Sequence, residues 1–323
     1  MTPTQRVGGG AAVAALGAAA LWGTTGTAQA LGPMESDPTS VGALRIAVGS
    51  LALLALALPM MRRGSLRRAG HPGRAFAWTQ HAVAGGGRGA GLALLLFGGL
   101  AVAAYQVCFF LGVARAGVAV GTVVALGIAP LATGLLGLLL GERPTARWMA
   151  ATAGAVAGVV LLVVGSGAKS AAGIDLVGVA AAAGAGVSYA AYTIAARALL
   201  LSAMRGVPVM AAFFSIGALV LLPFLVTADL GWVATPRGLA MVLWLGFVAT
   251  GLSYVLFQRG IARLPAGTVA TMSLAEPVTA TILGVLVLGE RLSRLSALGI
   301  VVVVLGLLLV TVGPRRPASL SPA

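Results

Sequence analysis

Charge is the scarcest commodity in this chain of 323 residues: Asp, Glu, Lys and Arg together make up 9% of it, and only seven residues are acidic. A soluble domain carries about a quarter charged residues, so this composition excludes an ordinary soluble fold. There is one cysteine, Cys108, which rules out an intramolecular disulfide. The two histidines, His71 and His81, fall in one basic gap between apolar runs, leaving no membrane histidine for a metal site or a hydrolase. Nucleotide hydrolysis also lacks a motif. The stretch GSGAKS at 165–170 has a Lys-Ser pair but not the first glycine of a phosphate loop.

What the chain has in quantity is apolar sequence, 59% of all residues. It comes in runs of about 20, each enough to span about 30 Å of hydrocarbon. Pro, Gly and charge divide the chain into ten expected spans with cores at 8–30, 39–61, 89–111, 117–140, 146–167, 173–198, 208–228, 237–257, 266–288 and 293–313. The first span imitates a secretory signal, with Ala28-Gln29-Ala30 as an A-x-A site. Its apolar stretch continues to Leu31, and the repeat described next requires it in the mature protein.

The net charge of +14 is explained by arginines in short gaps. With both termini inside, 15 of the 21 basic residues lie on the cytoplasmic side, six of them in the 61–88 loop; five lie outside and Arg45 lies within a span. The positive-inside rule therefore predicts cytoplasmic termini, with residues 1–7 and a disordered tail at 314–323 in the cytoplasm. The basic loop reads as a topology anchor, with anionic lipid headgroups as the other option.

The halves resemble each other. ALGIAPLATGLLGLLLGER at 125–143 aligns with SLAEPVTATILGVLVLGER at 273–291: Pro130 falls over Pro277 and Gly137 over Gly284, and, after one inserted residue, Gly141-Glu142-Arg143 over Gly289-Glu290-Arg291. Gly112 and Arg115 answer Gly260 and Arg263, and Gly17 and Trp22 answer Gly184 and Tyr189. Five spans per copy is odd, so the second copy enters from the opposite side. Two inverted repeats are expected, at 8–167 and 173–313.

These motifs are similar to those of the EamA-like family of the drug/metabolite transporter superfamily: Leu21-Trp22-Gly23, Leu44-Arg45, Ala129-Pro130 with Leu140-Gly141-Glu142-Arg143, and Glu276-Pro277 with Leu288-Gly289-Glu290-Arg291. The resemblance implies an all-α membrane protein of ten helices that moves a small metabolite or drug-like solute, often outward, in the cell membrane. The long Arg- and Gly-rich insertion after the second span departs from it.

Glu276 lies about ten residues into its span, near the midplane, where a charge costs several kcal/mol unless paired, hydrated or protonated. That makes it a candidate for solute binding, with a coupling proton as a candidate partner. Pro277 removes a backbone donor opposite the Ser273 carbonyl, and Pro130 does the same in the fourth span. Both are expected as helix breaks at one depth, competing with a reading as packing kinks. Arg45 is either an outer anchor or a partner of solute or Glu276. Trp22, Tyr105, Gln106, Tyr189, Tyr192, Tyr254 and Gln258 complete the candidate cavity lining, each with a packing role as the alternative. No cofactor or metal is expected, and no enzyme. The rival functions are a membrane-embedded enzyme acting on a lipid or isoprenoid, which would need convergent catalytic groups near one interface, and a non-transporting sensor.

Overall fold

The computed structural model describes residues 9–62, 87–167 and 175–311. The expectations for the 61–88 loop, apart from its first and last residues, and for the two tails lie outside them. Among the described residues the protein is all-α, with nine helices long and apolar enough to cross a membrane. They are α1 (Gly9–Ala30), α2 (Pro38–Arg62), α3 (Gly87–Leu136), α4 (Ala146–Gly165), α5 (Leu176–Leu201), α6 (Gly206–Val226), α7 (Pro236–Ile261), α8 (Ala266–Leu288) and α9 (Arg294–Thr311). This is a multi-span membrane protein.

Helix starts follow local chemistry. Asp37 accepts from Ser40 N at 2.8 Å before α2, Thr145 accepts from Trp148 N at 3.1 Å before α4, and Asp175 accepts from Val177 N at 2.8 Å before α5. Each side-chain oxygen satisfies a backbone donor that the first helical turn leaves open.

Three helices are irregular. α3 is kinked between the expected spans 89–111 and 117–140: Gly117 sits at φ 84°, ψ 158°, a non-helical conformation that glycine tolerates and other residues avoid. It therefore has two limbs, 87–116 and 118–136. α7 contains a π-helical stretch, Trp244–Leu252, where Thr250 Oγ1 donates to Leu245 O. α8 is interrupted at Ser273 and Leu274, which separate Ala266–Met272 from Ala275–Leu288.

The two prolines behave differently from each other: the interruption of α8 falls one turn before Pro277, as expected of a helix break, whereas no break accompanies Pro130. Pro277 is the third residue of the second segment of α8, in the first turn, where its missing N–H costs no helical bond. The Ser273 carbonyl is not left free: Glu276 N donates to it at 2.9 Å in a tightened turn. Pro130 breaks nothing, because the second limb of α3 continues helical past it to Leu136. Both prolines are buried.

Packing interleaves the two ends of the chain. α1 lies on the second segment of α8 and on α7, α5 on α3, α2 on α6, and α4 on α9. Without a hydrophobic drive between helices in lipid, close backbone approach supplies the attraction. At the α4–α9 seam a Cβ on Gly158 would lie 2.6 Å from Val303 N, and one on Gly299 2.5 Å from Leu162 N.

A candidate solute cavity

The helices α1, α2, α3, α5, α7 and α8 enclose a cavity of about 480 Å³. That falls within the roughly 300–1,000 Å³ of small-molecule sites. Its lining climbs α1 from Trp22 to Gln29 and descends α2 from Pro38 to Arg45. At the end of the bundle marked by Ala30 it reaches the exposed residues Gly26, Pro38 and Val118. In the other direction it stops at the buried rings of Tyr189, Tyr192 and Tyr254. Among the described residues, the exposed part of the lining is confined to the Ala30 end.

Two opposite charges share this space. Arg45 and Glu276 both line the cavity, on α2 and α8. Among the described residues the ion pairs are Arg115 with Asp175 and Arg197 with Glu142, so Arg45 and Glu276 do not pair. Arg45 Nε is buried and has no hydrogen-bond partner. An intramembrane guanidinium and carboxylate held apart at one cavity can each take a separate charge of a solute. The helical segment that carries Glu276 packs closely on α1: a Cβ on Gly23 would lie 2.6 Å from the Glu276 backbone carbonyl oxygen, so only glycine lets the two helices meet there.

The floor is aromatic. Trp22 lies 5.2 Å from Tyr254 between ring centroids, Tyr189 lies 5.1 Å from Tyr192, and the Tyr192 and Tyr254 hydroxyls are 3.1 Å apart. Trp22 Nε1 donates to Ser253 Oγ at 2.9 Å, which fixes the indole against α7. The Tyr189 hydroxyl is buried and unpartnered. Tyr105 stacks on Phe109 along the wall. A floor of this kind offers ring faces to an apolar group or to a cation.

The structure thus brings Trp22, Arg45, Tyr105, Gln106, Tyr189, Tyr192, Tyr254 and Glu276 to one cavity and leaves Gln258 out. Gln258 sits one helical turn past Tyr254, beyond the floor. It is buried against Gly206, and its Nε2 donates to Val255 O at 3.1 Å. Arg45 is among the residues that line the cavity. Pro130 and Pro277 do not line it, but their chain neighbours Ala129 and Glu276 do. Sequence reasoning missed Ser253, Ser273, Thr25 and Gly23. Of these only Gly23 carried a signal, through the Leu-Trp-Gly motif.

The opposite end is shut by a polar knot. Glu142 Oε1 accepts from Arg197 Nε at 2.9 Å, and Oε2 accepts from Ala266 N, the first residue of α8, at 2.7 Å. Arg197 also donates to Ile261 O at 2.6 Å. One carboxylate thereby ties the end of α3 to α5, α7 and α8. A smaller hollow of about 260 Å³, between α2, α3 and α6, is lined by no charged side chain.

A cavity between helices of both halves, reached from one end, is what a carrier requires, and the family match agrees. The model of the EamA-like transporter family matches residues 9–164 and again 176–312. The chain belongs to the EamA-like transporter family. The family lies in the drug/metabolite transporter superfamily, and membership makes the protein a permease and not an enzyme. This EamA-like chain is 39% identical over 303 residues, 93% of each chain, to "Uncharacterized transporter YwfM" of Bacillus subtilis. It is 29% identical over 293 residues to "Threonine/homoserine exporter RhtA" of Escherichia coli K12, covering 88% of this chain and 85% of that one. One solved crystal structure superposes with a TM-score of 0.74 over 94% of this chain and 98% of its own, at 24% identity, a likeness of fold.

Proposed function

We propose that this protein is a secondary transporter that exports a small zwitterionic solute of the amino-acid class by alternating access. The observation that carries the reading is the single cavity in which Arg45 and Glu276 stand unpaired above an aromatic floor. A guanidinium suits a carboxylate in bidentate fashion, and a carboxylate suits an ammonium. The rings take the side chain. The threonine/homoserine exporter among the relatives supports both the solute class and the outward direction.

The architecture we assign is ten helices in two inverted five-helix repeats, 8–167 and 173–313, counting the two limbs of α3 separately because of the break at Gly117. The cavity lining supports the repeat: Trp22 answers Tyr189, Gln106 answers Tyr254, Leu126 answers Ser273 and Ala129 answers Glu276, all on the cavity. Inverted repeats around a midplane site are the device of alternating access. Both termini lie in the cytoplasm of the cell, from the 15 to 5 division of basic residues. On that orientation the Ala30 end faces outward and Glu142 closes the cytoplasmic side. A proton is the candidate coupling partner, with Glu276 as its carrier.

The test is export of labelled threonine, homoserine and larger neutral amino acids from loaded proteoliposomes of the purified protein. Their decarboxylated amines serve as controls. Flux of the zwitterions above the amines supports the reading, and equal flux of both removes Arg45 from the solute site.

A further inference from the structure

Glu142 has a counterpart whose job is open. Gly141 and Gly289 both end a helix in the left-handed conformation, at φ 74° and 71°, and each is followed by a glutamate and an arginine. Both glutamates fold back over an earlier glycine: Glu142 packs over Gly137, and Glu290 over Gly284. The local device is the same, and the partners differ. Glu142 caps Ala266 and holds Arg197, with both side chains largely buried. Glu290 is exposed, and among the described residues its side chain has no ion-pair partner.

Transferring the observed contact through the repeat spacing of 148 moves Ala266 to Val118. Val118 is the first residue of the second limb of α3, directly after the Gly117 break, and stands exposed at the mouth of the cavity. The start of a helical segment carries partial positive charge and favours a carboxylate. Resting on the inverted-repeat reading above, we propose that Glu290 is the latch of the opposite closure. When the cavity shuts at the Ala30 end, Glu290 seats on the start of the second limb of α3 at Val118, as Glu142 seats on Ala266 now.

The two latches are unequal. The counterpart of Arg197 at the spacing of 167 is Ala30, so the Glu290 latch has no guanidinium in that place. A carboxylate that also accepts from an arginine holds more firmly than one on backbone donors alone. The cycle is therefore biased toward the state with the Glu142 latch closed, the one described here.

The experiment uses the full chain with Cys108→Ser and a reporter, Thr122→Cys, on the cavity wall. The readout is its rate of modification by a membrane-impermeant thiol reagent applied from the Ala30 side. Glu142→Gln is expected to slow modification about tenfold, as the cavity comes to open at the other end. Adding Glu290→Gln is expected to restore the rate, which damage to folding would not do. Failure of Glu142→Gln to slow modification, or of Glu290→Gln to restore it, overturns the latch. Absence of amino-acid flux with the labelling pattern intact would instead refute the solute assignment and leave the latch standing.

Discussion

Removing the Arg45 guanidinium tests the division of labour in the cavity. Arg45 Nε is buried with no hydrogen-bond partner, so in the free protein Arg45→Ala breaks no observed hydrogen bond or ion pair of this side chain. Its cost should appear on binding. A hydrogen bond to a charged group contributes about 1.5–3 kcal/mol. At about 1.4 kcal/mol per factor of ten, that predicts a loss of about tenfold to 150-fold in apparent affinity for a neutral amino acid. The matching amine without its carboxylate has nothing for Arg45 to hold, and its affinity should change by less than about threefold. Glu276→Gln should give the mirror image: a comparable loss for the amino acid, and little change for an analogue that keeps the carboxylate and lacks the amine. The assay is competition against labelled substrate flux in proteoliposomes, across the two variants and three ligands. Equal losses for amine and amino acid in Arg45→Ala would refute the charge assignment, because a general distortion of the cavity does not distinguish the ligands.

Other outcomes follow from named contacts. Glu276→Gln is expected to lose acceleration of transport by a pH gradient while retaining solute exchange at saturating concentration; unchanged pH-driven transport would leave Glu276 as a binding residue alone. Gly158→Leu should lower the melting temperature in detergent by several degrees, since its side chain would begin 2.6 Å from Val303 N, while Gly154→Leu, with nothing within 4 Å, should not. Orientation is checked with Met34→Cys and Arg143→Cys, exposed at opposite ends of the bundle: an impermeant reagent applied to intact cells should reach the first and spare the second. Labelling of Arg143→Cys from outside would reverse the topology.

Spans were legible because length and hydropathy suffice to define them. The interior of each span was harder. Gly117 stood among too many other glycines to be singled out as the residue that bends α3. The π-helical stretch in α7 left no mark, since Trp244–Leu252 reads as an ordinary apolar run. Proline marked the break in α8, which falls one turn before Pro277, but not in α3, where Pro130 is tolerated because the helix has neighbours to pack on. In the site, intramembrane charge pointed to Glu276 and Arg45 on cost alone. Trp22 came from the Leu-Trp-Gly motif, and Tyr189 from its place as a polar aromatic residue within an apolar span. Gln258 failed for a geometric reason: its position one turn past Tyr254 puts it on the same face but beyond the floor. Ser253 and Ser273 were invisible, as a serine in lipid commonly donates to its own helix; Ser273 Oγ does so, to Ala270 O at 2.7 Å.

The cavity is most informative where its two halves differ. Positions matched by the repeat spacings line it in pairs, and each pair shares a place in the wall but not a chemistry: Trp22 against Tyr189, Gln106 against Tyr254, Leu126 against Ser273, Ala129 against Glu276. A second carboxylate at position 129 would place two like charges around one small volume, which disfavours ionisation of both. With a single carboxylate on α8 and a single guanidinium on α2, the ionised lining is neutral overall but polarised. A zwitterion adds no net charge to such a site and fits it in one orientation, whereas a monocation or monoanion leaves one wall charge unmatched in a poorly hydrated space. On the proposed inverted repeat, the backbone would supply two equivalent ways to open, and the broken side-chain symmetry one way to hold the proposed zwitterion. In the proposed cycle, direction of transport would rest on gradients and on the unequal latches.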